Sequence, residues 1–119
     1  MDKGKYLISM SIWKQTGKSR RKARILEERE GYIDTENNIA YTINDFGDCR
    51  ITDINTGLSI YSCYAKTIDD CIRDYKNVVT EIIKQARSKY YYENSVKLFE
   101  YLKTCKEPAT EQKLAKIFN

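Results

Sequence analysis

Apolar and polar residues alternate along the first half of this chain and fall at helical spacing along the second. Between Lys5 and Trp13, Tyr6, Ile8, Met10 and Ile12 point one way, while Leu7, Ser9, Ser11 and Trp13 point the other. That period of two predicts a half-buried strand. Gln15-Thr16-Gly17-Lys18-Ser19 predicts a turn, with Gly17 supplying a positive φ. Ser19 to Glu30 has no helical stripe, so a second strand pairing back on the first is the favoured reading, with a short helix as the alternative. Gly31–Asp34 and Ile39–Ile43 flank Thr35-Glu36-Asn37-Asn38, a hairpin signal. After a turn at 45–48, Cys49–Ile54 and Leu58–Tyr64 flank Asn55-Thr56-Gly57.

The period then changes. From Thr67 to Tyr92 the apolar side chains Ile68, Cys71, Ile72, Tyr75, Val78, Val79, Ile82, Ile83 and Ala86 form one wide helical stripe. Thr67 is a suitable N-cap, and Asp69 and Asp70 favour the positive end of the helix dipole. A second helix carrying Val96, Phe99, Leu102 and Cys105 is expected after a break at Asn94-Ser95. Pro108 ends it, and Thr110 caps a short last helix with Leu114, Ile117 and Phe118. The expectation is an α+β fold in one domain, residues 1–119. An antiparallel β-meander of four to five strands (1–65) precedes a long amphipathic helix and one or two shorter C-terminal helices (67–119). The two apolar stripes of the tail also predict a homodimer.

Length and composition agree with one globular unit: 119 residues, 41% hydrophobic and 32% charged. No apolar run approaches the ~20 residues of a membrane-spanning helix, and the first residues lack the pattern of a signal peptide. The expected location is therefore cytoplasmic, with no membrane partner. The chain has no histidine, and its serines and cysteines have no patterned base, so no catalytic residue is expected. The four cysteines, Cys49, Cys63, Cys71 and Cys105, form no C-x-x-C, so free buried thiols are expected, with no metal and no cofactor.

Charge changes the picture more. Net charge is only +4, but Lys14, Lys18, Arg20, Arg21, Lys22 and Arg24 form a run without an acid. Seven acids between Glu27 and Asp48 follow it against Arg29 alone. Gln15–Ser19 ends like a phosphate-binding loop, but Ile12 stands where that loop needs glycine, so the match is read as chance. The basic run itself suits phosphates, and Trp13 beside it offers a face to a base. Nucleic acid or a nucleotide is the expected partner. Tyr90, Tyr91 and Tyr92, following Lys84, Arg87 and Lys89, are the second candidate surface, with Phe99 and Phe118 as further protein-interface residues.

Leu98-Phe99-Glu100-Tyr101-Leu102 and the Thr110-x-x-x-Leu114-Ala115-x-x-Phe118 cadence resemble the first two helices of a helix-turn-helix domain. The resemblance covers the last fifth of the chain and stops where a recognition helix would begin, so no DNA reading is carried over from it. Small proteins rich in Lys, Ile, Asn and Tyr are common in phages and mobile elements, where many block a host defence protein. The rival expectation is therefore a protein-binding inhibitor or adaptor.

Overall fold

The computed structural model describes residues 1–118. Five antiparallel strands run in sequence order across one sheet: β1 (Asp2–Thr16), β2 (Ser19–Asp34), β3 (Ile39–Ile43), β4 (Asp48–Asp53) and β5 (Leu58–Tyr64). They are followed by α1 (Ile68–Ser88), α2 (Tyr92–Leu102), the two-residue β6 (Ala109–Thr110) and α3 (Glu111–Phe118). The predicted architecture is therefore observed, meander first and helices after.

Two boundaries differ from the expected ones, each for a local reason. Gly31 does not open a new strand; β2 runs through it as one 16-residue strand. A Cβ there would lie 2.7 Å from the Tyr41 carbonyl oxygen, so glycine marks a close approach of β3 rather than a break. The long helix ends before Asn94-Ser95. Lys89 leaves the helix with an extended backbone, and α2 begins at Tyr92, so Asn94 and Ser95 lie within α2. Tyr91 at the cap position makes no side-chain bond to the helix start. Other signals read as expected: the Asp70 amide donates to Thr67 Oγ1, and the Lys113 amide donates to Thr110 Oγ1.

The core has two parts. Under α1, Ile39, Tyr41, Cys49 and Ile51 of the sheet meet Ile68, Cys71, Val79 and Ile83. Each fully buried aliphatic side chain of this kind contributes roughly 1.5–3 kcal/mol. Under the tail, Leu102, Ala109 and Leu114 pack together, with Leu26, Leu98, Tyr101 and Phe118 around them. Most of the tail stripe on which a dimer was expected is thus spent within the chain, and Ile117 stays exposed.

The sheet curls until its ends touch. The Ser9 amide of β1 donates to the Gly57 carbonyl of the β4–β5 turn at 2.9 Å. Gly57 has φ +69°, and a Cβ on it would lie 2.8 Å from the Ser9 nitrogen, so that contact needs glycine twice over. The β1–β2 hairpin extends well past this closure. β3 pairs β2 only at Tyr32, Ile33 and Asp34. From Ser19 to Tyr32 is thirteen residue steps, roughly 40 Å of strand, a length comparable to the molecule's 48 Å long axis.

Candidate nucleic-acid interface

The tip of that hairpin carries the basic run. In the β1–β2 register Trp13 opposes Lys22, Lys14 opposes Arg21 and Gln15 opposes Arg20. Opposed side chains share a face, so Trp13, Arg20 and Lys22 gather on one side. The Arg20 guanidinium carbon and the Lys22 Nζ each lie 5.7 Å from the Trp13 ring centroid. These are cation–π contacts at an exposed ring, 57% of whose residue surface is open.

The six cations do not act alike. Lys14 is half-buried and turned toward the tail, where its Nζ lies 3.5 Å from Glu107 and 3.4 Å from the Pro108 carbonyl oxygen. Arg24 donates to Ser9 Oγ at 3.2 Å, beside the point where β6 joins β2. Lys18, Arg20, Arg21 and Lys22 remain exposed, and among the described residues none of them forms an ion pair. The acids that follow in sequence are engaged further down the same hairpin. Glu30 pairs with Lys3, Glu28 with Lys5 and Glu27 with Arg29. The register thus carries these glutamates away from the basic tip, toward the hairpin's other end.

The tyrosine run is divided. Tyr90 is 96% exposed and meets Tyr91 edge-on, with the Lys89 ammonium 5.7 Å from the Tyr91 ring. Tyr92 faces inward. Its hydroxyl donates to Asp53 Oδ2 at 2.9 Å and accepts from Asn55 Nδ2 at 3.1 Å. Phe99 is 4% exposed and sits against the Gly57 turn, while Phe118 is half-buried edge-on to Tyr101. Of the five expected interface residues, only Tyr90 and Tyr91 are presented outward.

Two groupings were not legible in the sequence. The first centres on Asp53, 1% exposed at the end of β4. Its carboxylate accepts from Arg87 at 3.2 and 3.3 Å, from the Asn55 amide at 3.0 Å and from Tyr92. Arg87 also donates to the Asn37 carbonyl at 2.6 Å, tying α1 to the β2–β3 turn. Burial works against the guanidinium charge, but Asp53 outweighs it and raises the Arg87 pKa. Burial and the bond to Asp53 raise that of Tyr92, although the Asn55 bond pulls the other way. The second grouping is Cys49, Cys63 and Cys71. Cys49 Sγ lies 2.9 Å from Cys71 Sγ, and Cys63 Sγ lies 3.4 Å from it. Burial is the first cause that pushes all three thiols up, Cys63 and Cys71 to about 11.

No protein-family model, curated protein or solved structure matches this chain. Among the described residues, no helix is long and apolar enough to cross a membrane.

Proposed function

We propose that this protein is a non-enzymatic binder whose β1–β2 hairpin tip engages a phosphate-bearing partner, with nucleic acid the leading case. One observation supports the reading: among the described residues four cations at the tip have no acidic partner, while the neighbouring acids are paired with Lys3, Lys5 and Arg29. An exposed charge run that served solubility alone has no need of an aromatic ring held between two of its members. At such a tip, Lys18, Arg20, Arg21 and Lys22 neutralise phosphates, and Trp13 offers a flat surface once a base displaces one of the cations beside it. Lys14 reaches the tail at Glu107 and Pro108, and Arg24 is held at Ser9 where β2 pairs with β6, so neither is left free at the tip.

Binding to single-stranded and duplex oligonucleotides, followed by fluorescence anisotropy across a salt series, tests this. Four neutralised phosphates give a slope of log affinity on log salt of about −3 to −4. Replacing Arg20, Arg21 and Lys22 together with alanine flattens the slope to about −1 and weakens all sequences alike. No binding at low salt, or an unchanged slope in the triple variant, overturns the proposal.

A second reading rests on Tyr90 and Tyr91. An exposed aromatic pair beside Lys89 suits a protein partner of the inhibitor or adaptor class. It gains if the oligonucleotides fail to bind and a protein partner is lost on replacing these two tyrosines.

A further inference from the structure

The β4–β5 hairpin contains an irregularity that brings sulfur to sulfur. Counting back from its turn, Asp53 opposes Leu58 and Thr52 opposes Ser59, which would set Cys49 against Ser62. A register shift between Ile51 and Thr52 moves the rest of the ladder by one residue, and Cys49 instead opposes Cys63. β-Bulges re-aim side chains in this way. The first turn of α1 then lowers Cys71 onto the pair. All three sulfurs lie within 4.8 Å of one another. Cys49 and Cys71 are fully buried, and Cys63, on the edge strand β5, is half-exposed and gives a way in.

We propose that Cys49, Cys63 and Cys71 form a three-sulfur binding site for a soft divalent d10 cation of the zinc and cadmium class. Two thiolates on one ion at about 2.3 Å can be no more than about 4.6 Å apart, and in a three-fold arrangement they stand about 4.0 Å apart. The three sulfurs already lie near that range. The Cys49–Cys71 pair must open by about 1 Å as the ion enters, while Cys63, on the edge strand β5, closes the third side. Thiolate sulfur selects soft cations over magnesium or calcium. The step is an exchange without electron transfer: three S–H bonds give up their protons to solvent, and three metal–sulfur bonds form. The product carries one net negative charge with a divalent ion and two with a monovalent one, so burial favours the divalent. Among the described residues no histidine or acid joins the group, which leaves the fourth position to water.

The test titrates reduced, metal-free protein with cadmium in the presence of a phosphine reductant. The expected result is one equivalent bound, a sulfur-to-metal charge-transfer band, release of close to three protons per ion and a rise in melting temperature. Cys63→Ala, the substitution least damaging to the core, should weaken binding at least about tenfold and remove part of the band. Cys105→Ala should change neither, because Cys105 packs in the other core cluster. Substoichiometric binding, proton release of one or none, or a Cys63→Ala titration identical to wild type overturns the site. So does a Cys49–Cys71 disulfide that survives treatment with the phosphine.

Discussion

Two charged regions of this molecule share a sheet and follow opposite rules. At the corner where α1 and α2 meet the β4–β5 turn, Asp53 is buried, and every direction around its carboxylate is occupied. At the hairpin tip, Lys18, Arg20, Arg21 and Lys22 stand in solvent, with no ion pair among the described residues. A buried charge survives only when paired and hydrogen-bonded, so the corner has one arrangement and fixes the backbone around it. An exposed charge contributes little to folding and keeps its freedom to meet something else. The corner holds the fold and the tip does not, although an arginine such as Arg87 or Arg20 reads the same way in the sequence at either place.

The sharpest way to break this comparison is Asp53→Ala. It leaves Arg87 without its carboxylate and the Tyr92 hydroxyl without its acceptor. The expected loss is about 3–5 kcal/mol, read as a drop in the urea midpoint. A midpoint equal to wild type would mean that the corner is not an anchor. Tyr92→Phe takes away the hydroxyl's two bonds, to Asp53 and from Asn55, and keeps the ring, so about 2 kcal/mol should go. A loss as large as that of Asp53→Ala would shift the anchor from the ion pair to the phenol. The triple alanine replacement of Arg20, Arg21 and Lys22 should move stability by less than about 0.5 kcal/mol while abolishing most of the salt dependence of binding. If it unfolds the protein, the tip is structural and the contrast disappears.

How much of this could be read beforehand follows range. Features set by a few neighbouring residues were legible. The alternation of β1, the Gly17 and Gly57 turns, the Thr67 cap and the stripe of α1 stand where their local chemistry puts them. Long-range features were not. Arg87 reads as one more cation on a polar helix face, and only the fold brings it to a carboxylate 34 residues earlier. The three thiols have no motif spacing, because a bulge creates their meeting and bulges leave little trace in residue type. Tyr90, Tyr91 and Tyr92 look alike in sequence, and the end of α1 at Ser88 decides which of them turns inward. The tip cations were visible as a run, but their lack of acidic partners among the described residues depends on register, which sends Glu28 and Glu30 to Lys5 and Lys3.

The uneven partnering of β2 has a consequence for solubility. On the side away from β1, β3 covers Tyr32–Asp34 and β6 covers Ala23 and Arg24. Among the described residues, no strand pairs with Ile25–Glu30 on that side. Such a gap is a row of backbone donors and acceptors that could template a foreign strand and let sheets grow end on end. Four consecutive charged residues, Glu27, Glu28, Arg29 and Glu30, occupy it. A strand docking there would have to strip water from both faces of this charged stretch. Glu27, Glu28, Arg29 and Glu30 thus put charge along an unpaired stretch of strand, which disfavours its pairing with a foreign one.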